Sequence, residues 1–320
     1  MVDLRSLNVR VGLRNVDDVK TTNENLITIM GATGNTGSKI AGALLAKGRR
    51  VRALGRSEDR LSKLKSAGAE VRIGEAADTA FLTEAFRGAQ AVYTLLPTDR
   101  SAPDYRAAQD QQGEAIVKAI RDSGVKYVVA LSSVGAELSN GTGVIAGLHA
   151  QEERLKAIAK INVLLLRPVS FFENFYDALQ TIRHGGINAD TVIPNLAIPM
   201  VATEDIARAA IEALERCDWT GVVTRELLGP RDISYAEATR LIGEQIGKPD
   251  LQYVQMPYEE MADILVKAGL SRSFAGLYVE MTRAFNEGVV KASRGRTLEN
   301  TTPTRFEDFA VQLGRAYKGS

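Results

Sequence analysis

The sequence predicts an α/β protein: a doubly wound parallel sheet with a smaller, helix-rich C-terminal part. Three observations predict it. From residue 26 onward, short apolar runs alternate at close intervals with stretches of helical periodicity. Strands joined through helices in this way lie parallel, with helices on both faces of the sheet. A glycine-rich heptad, Gly31-Ala32-Thr33-Gly34-Asn35-Thr36-Gly37, links the first apolar run to the first amphipathic stretch. Finally, 320 residues that are 45% hydrophobic suffice for one large domain or two modest ones with an ample core.

Residues 26–30 form the apolar run needed by a strand buried on both faces. Residues 38–47 read as a helix with Ile40, Ala41, Leu44 and Leu45 on one face, stopped by Gly48 where a left-handed cap belongs. Strands follow at 50–54, 69–73 and 91–96, the last closed by Pro97, with helices at 57–66 and 79–87. A longer helix fits 104–123, then a strand at 125–131, a helix at 150–160 and a strand at 162–166.

After Arg167-Pro168 the rhythm loosens. Residues 171–184 are expected to be helical, Gly185-Gly186 to end that helix, and 187–202, with two prolines, to be irregular. Residues 203–216 are amphipathic, with Ile206, Ala210, Ile211 and Leu214 inward, and 222–228 reads as a strand returning to the main sheet. Ser234 and Glu237 have capping-box spacing and open a helix to Gly247. A strand at 251–256 follows, and a second box, Thr304 to Glu307, opens the last helix. The division expected is 26–170 with 203–230 as one unit, and 171–202 with 231–320 as the smaller one. Residues 1–25 lack an apolar core segment and read as a poorly ordered extension, not a secretory signal.

Composition narrows the function. Lys plus Arg is 40 and Asp plus Glu is 39, a formal charge of +1, which argues against a nucleic-acid partner. The single cysteine, Cys217, allows no intramolecular disulfide and no cysteine-rich metal site. His149 and His184 are too far apart for a short zinc motif, so no metal is expected. No apolar run has the length of a membrane span. A cytoplasmic protein without a membrane partner is the expectation, and a homodimer is compatible with it.

The heptad carries the chemistry. A glycine pattern alone is weak, but this one follows a buried strand and opens a helix, as a Rossmann-like dinucleotide fingerprint does. Gly31 permits the tight turn, Gly34 lets backbone approach a pyrophosphate, and Gly37 permits close packing of the helix. The amides of Thr33, Asn35 and Thr36 then lie at a helix start that attracts phosphate. A plain strand-to-helix turn is the competing reading. At the end of the second strand an NAD site places an acid for the ribose; here the strand runs Ala53-Leu54-Gly55-Arg56. Arg56 can pair with a 2′-phosphate, which points to NADP(H), although a solvated surface arginine would look the same.

The heptad, Val51-Arg52-Ala53-Leu54-Gly55-Arg56, Leu166-Arg167-Pro168 with Phe171-Phe172-Glu173-Asn174, and Glu204-Asp205-Ile206-Ala207 together resemble the NmrA-like group of atypical short-chain dehydrogenases. The likeness covers about residues 26 to 315 and implies an NADP(H)-binding fold. The group mixes reductases with redox-sensing regulators, so the resemblance implies either an enzyme or a nucleotide sensor without turnover. Ordinary enzymes of the superfamily use Tyr-x-x-x-Lys with a serine to deliver a proton. At the matching place stands Ile145-Ala146-Gly147-Leu148-His149: the tyrosine is absent and histidine replaces lysine.

His149 followed by Glu153 is similar to the NADPH-dependent quinone oxidoreductases and triphenylmethane reductases of the group. That similarity implies hydride transfer to a conjugated small-molecule acceptor of quinone or enone type. His149 would then hold the cofactor ribose and take part in catalysis. Leu95, Pro97, Pro168 and Phe171 would shape the nicotinamide pocket. Ser132 and Ser133 stand near the family serine, Ser132 toward the cofactor and Ser133 as a catalytic candidate; a cap or loop role is the alternative. Phe171, Phe172 and Asn174 are the substrate candidates, although the aromatic spacing also fits a helix face buried in the core.

Overall fold

The computed structural model describes residues 25–319. The expectation for the N-terminal extension therefore falls, apart from Asn25, outside the described residues. Twelve strands and eleven helices follow in chain order among the described residues: β1 (Leu26–Ile29), α1 (Gly37–Ala46), β2 (Arg50–Gly55), α2 (Glu58–Ser66), β3 (Glu70–Ile73), α3 (Thr79–Phe86), β4 (Ala91–Thr94), α4 (Tyr105–Ser123) and β5 (Tyr127–Leu131). A 3₁₀ turn, Gly143–Ile145, leads into α5 (Ala146–Lys156), and then come β6 (Asn162–Pro168), β7 (Ser170–Phe171), α6 (Phe175–Gly185), β8 (Ile187–Asp190), β9 (Ile198–Val201) and α7 (Thr203–Arg216). The chain closes with β10 (Val222–Leu227), β11 (Asp232–Ile233), α8 (Tyr235–Ile246), β12 (Gln252–Gln255), α9 (Tyr258–Lys267), α10 (Arg272–Asn286) and α11 (Phe306–Lys318).

The central sheet has seven strands, parallel throughout, in the order β10-β6-β5-β4-β1-β2-β3. The doubly wound architecture read from the sequence is what forms, and β10 does return beside β6. Every residue of β1 and β4 is buried, because both faces of those strands are covered. On one face Ile40 and Leu44 of α1 pack with Ile206, Ala210 and Leu214 of α7; on the other, Leu82 and Phe86 of α3 pack with Ile116 and Ile120 of α4. The polar exception in β1, Thr28, donates its hydroxyl to the Ala85 carbonyl at 3.1 Å. The winding changes direction between β1 and β4, which opens a crevice at the carboxyl ends of the strands.

The C-terminal part departs from expectation. Residues 187–202 are not irregular: β8 pairs in parallel with β12, and β9 lies between β7 and β11 in a three-stranded sheet. The predicted helix at 171–184 begins with β7 and a 3₁₀ turn, and turns α-helical only at Phe175. Helix α5 starts at Ala146 and ends at Lys156, four residues earlier at each end than 150–160. The 3₁₀ turn before it supplies its start, and Lys160, at φ 59°, lies beyond its end. The Ser234 cap holds, its hydroxyl accepting from the Glu237 amide at 3.1 Å, but the Glu237 carboxylate turns to Arg231 instead of closing the box. At 304–307 no box forms. Arg305 takes the cap position without a side-chain bond, and the Thr304 amide is claimed by Asp205 at 3.0 Å.

This part has its own core, where Phe172, Phe175, Met200, Ile242, Phe306, Phe309 and Leu313 meet. Among the described residues no helix is long and apolar enough to cross a membrane, and no group of His, Cys, Asp or Glu side chains is placed to hold a metal ion.

Candidate functional site

The glycine heptad occupies the turn between β1 and α1, at the crevice. Gly31 adopts φ +60°, a left-handed conformation that side chains disfavour, and its Cα faces Leu95 so closely that a Cβ would lie 3.0 Å from Leu95 Cδ2. A Cβ on Gly37 would overlap the Gly31 carbonyl. Gly37 therefore serves closure of the loop on itself, not only helix-to-sheet packing. Three bonds hold the loop: Ala32 N–H to Leu54 at 3.1 Å, Gly34 N–H to Gly31 at 2.9 Å, and Ser38 N–H to Gly34 at 3.1 Å. Among the described residues no acceptor takes the amides of Thr33, Asn35 or Thr36. Unclaimed donors at a helix start are what an anionic pyrophosphate requires. The Thr36 hydroxyl itself is turned inward, where it accepts from the buried Tyr93 phenol at 2.8 Å. Burial pushes that phenol well up, so Tyr93 is a neutral donor.

Arg56 lies exposed just past β2, and among the described residues it makes no ion pair or hydrogen bond. Its charge helps hold the Asp99 carboxyl low, behind the larger effect of hydrogen bonds from Ser101. Arg60 reaches back from α2 to the Thr33 carbonyl at 3.4 Å, a second cation at the loop that sequence reasoning did not single out.

Across the crevice, the ends of β5 and β6 are zipped together. Ser132 N–H donates to Leu166 at 2.7 Å and Val134 N–H to Pro168 at 3.0 Å, which brings Ser132, Ser133 and Pro168 side by side. The Ser132 hydroxyl is not free for chemistry, because it donates to Glu152 Oε1 at 2.6 Å inside a buried ion pair. Arg167 binds Glu152 through Nε at 2.8 Å and a terminal nitrogen at 2.5 Å, with Glu137 at 2.9 Å on the other. The Glu152 hydrogen bond pushes the Arg167 guanidinium up, against the opposing effect of burial. The Ser133 hydroxyl donates to the Val134 carbonyl at 2.8 Å.

His149 sits in the first turn of α5, one turn before Glu152, and caps nothing in its own helix. Its Nδ1 lies 2.9 Å from the Ala136 carbonyl. A carbonyl only accepts, so Nδ1 carries a hydrogen and donates it to Ala136. The Glu153 carboxyl is held low mainly by Lys156, with His149 a smaller influence.

The substrate candidates separate. Phe171 is partly exposed and packs against the core beside the main sheet, and Asn174 is exposed with its amide 3.4 Å from Ser170 Oγ. Phe172 is 2% exposed and packs edge-on against Phe306, with centroids 5.0 Å apart. It is a core residue, as its helical spacing allowed. The next residue, Glu173, accepts the Thr203 amide and hydroxyl at the start of α7. Lys39 joins that junction to the glycine loop, bonding Thr203 Oγ1 at 2.9 Å and the Asn35 carbonyl at 3.0 Å. A separate groove of about 690 Å³ runs between α1 and α7, with Lys39 at one side and Arg216 at the other; none of the predicted site residues lines it.

The model of the NmrA-like family matches residues 23–310. A (4-alkanoyl-5-oxo-2,5-dihydrofuran-3-yl)methyl phosphate reductase from Streptomyces griseus is 26% identical over 299 residues, 91% of this chain and 99% of that protein. Among solved structures, an NADPH-dependent quinone oxidoreductase from Escherichia coli, complexed with NADPH, superposes with a TM-score of 0.73 at 21% identity, covering 90% of this chain and 99% of the other. A triphenylmethane reductase from Citrobacter sp. gives 0.70 at 22% identity, with the same coverage.

Proposed function

The chain belongs to the NmrA-like family, and from that membership we propose that it is an NADPH-dependent reductase of conjugated, quinone- or enone-like small molecules. The observation that carries this is the loop at the end of β1, with unclaimed amides at the start of α1 and the exposed Arg56 just past β2, the strand paired beside β1. The residues present fit the cofactor. The heptad amides would hold the pyrophosphate, Arg56 the 2′-phosphate, and His149 Nε2 would hydrogen-bond a ribose hydroxyl. When bound, NADPH supplies hydride to the acceptor. Residues 26–170 with 203–230 form the cofactor half, and 171–202 with 231–320 cover the acceptor.

The acceptor class follows from what the site lacks. Isolated ketones need a proton donor during hydride transfer, and Ile145 stands where the superfamily tyrosine would be. In conjugated acceptors the arriving charge spreads, so holding the two reactants in register does more of the work. The names of the relatives agree: a ring double bond flanked by two carbonyls in one, a quinone in another. The walls for such a flat molecule are Leu95, Pro97, Pro168 and Phe171, with Asn174 at the rim and Ser133 beside Pro168.

The test is NADPH oxidation by the purified chain against menadione and a panel of conjugated enones and butenolides. Turnover with NADPH in preference to NADH is expected. Tight NADPH binding without turnover on any acceptor would make the protein a nucleotide sensor instead.

A further inference from the structure

The peptide that leads into α1 is held from two sides. On the inner side, the Thr36 hydroxyl accepts from the buried Tyr93 phenol. On the outer side, the backbone bonds that start the helix pass over one carbonyl. Ser38 N–H donates to Gly34 at 3.1 Å and Ile40 N–H to Thr36 at 3.0 Å, while the Asn35 carbonyl between them accepts from the Lys39 ammonium at 3.0 Å. A planar trans peptide turns its carbonyl oxygen and its amide hydrogen to opposite sides, and no cis bond occurs among the described residues. Fixing the Asn35 oxygen therefore fixes the direction of the Thr36 amide, one of the unclaimed donors of the loop.

Lys39 is in turn held by a distant part of the chain. Its ammonium donates to Thr203 Oγ1 at 2.9 Å, 164 residues along, and lies 3.7 Å from Glu173 Oε1. Thr203 opens α7 and is 0% exposed. Its amide lies 3.1 and 3.0 Å from the two Glu173 oxygens, and its hydroxyl donates to the same carboxylate, so a lone pair is left for Lys39. The Glu173 side chain, 6% exposed, stands between Phe172 and Asn174 and is fixed by these bonds. A lysine on an exposed helix face otherwise samples many rotamers; here buried partners select one.

From these contacts we propose that Lys39 is a positioning residue for the nucleotide. It holds the Asn35–Thr36 peptide so that the Thr36 amide stays available to the pyrophosphate, and Thr203 and Glu173 hold Lys39; the proposal rests on the NADPH-binding reading above. Two of the three ammonium hydrogens are committed to protein oxygens and the charge is met by Glu173, so Lys39 acts through the peptide and not as a phosphate ligand. Nucleotide affinity then depends on Thr203, a buried residue with no surface to offer a ligand.

Titration of full-length variants with NADPH, NADH and adenosine 2′-monophosphate separates positioning from charge and from general damage, because the last carries the 2′-phosphate without a pyrophosphate. Lys39→Met is expected to weaken NADPH and NADH alike by roughly ten-fold, the low end for one hydrogen bond to a charged group, and to leave adenosine 2′-monophosphate unaffected. Thr203→Val keeps both the ammonium and the carboxylate and removes only the tie between α7 and Lys39. It is expected to weaken both dinucleotides by a smaller factor, and the double variant to bind them no worse than Lys39→Met. Thermal melting of each variant reports that it is folded. Unchanged dinucleotide affinity in either single variant, fully additive losses in the double one, or an equal loss of adenosine 2′-monophosphate overturns the proposal. An unaltered chain that binds none of the three overturns the NADPH-binding reading beneath it.

Discussion

At the scale of single residues, the site depends on a few groups whose neighbours have settled what they can do. Arg56 is exposed and uncommitted, while the arginines around it are engaged: Arg52 pairs with Glu70 at 3.0 Å, and Arg60 leans on the Thr33 carbonyl. A charge-assisted contact to the 2′-phosphate would be worth about 1.5–3 kcal/mol if fully formed, less at an exposed position. Arg56→Ala is therefore expected to weaken NADPH binding by about ten-fold, or about 1.4 kcal/mol, and NADH binding little; fluorescence titration of both nucleotides checks it. Equal weakening of both would remove Arg56 from the phosphate. Position 56 was legible in the sequence because the glycine loop fixes the register of β2. The fate of Ser132 was not, since nothing in the local sequence says that Glu152, twenty residues on, would take its hydroxyl.

At the scale of elements, the junction of β5, β6 and α5 is held by the Glu152–Arg167 pair, whose side chains are only 1% and 10% exposed. The same turns of α5 carry His149, so the pair sets where the imidazole stands. A buried pair contributes little net stability relative to an apolar replacement, but breaking it strands a charge. Glu152→Gln is expected to cost about 3–5 kcal/mol in chemical denaturation. Adding Arg167→Met should recover most of that loss. Full additivity of the two losses would mean the groups do not act as a pair. Elements of the parallel sheet were legible because strands covered on both faces must be apolar from end to end, as β1 and β4 are. Strands β7 and β11 have two residues each, and their partners lie about thirty residues or more away in sequence, so no local periodicity announces them. A helical reading of 171–184 won by default there.

At the scale of the whole molecule, a doubly wound sheet brings the carboxyl ends of β1, β2, β4, β5 and β6 to one edge, and α10 packs against the 143–145 turn that leads into α5. The glycine loop follows from sequence alone, because it depends on a short stretch with one steric solution; the crevice does not, because it depends on the order of strands across the sheet. Nor does the bond from the Tyr278 hydroxyl of α10 to Asp190 at the end of β8, since the two are 88 residues apart in sequence. Hydride transfer at this crevice requires a phosphorylated dinucleotide on the glycine loop. Calorimetric titration of the full chain with NADPH and NADH tests this most directly. One site per chain, filled by NADPH with at least about ten-fold preference, is the result expected. No heat with either nucleotide would contradict it.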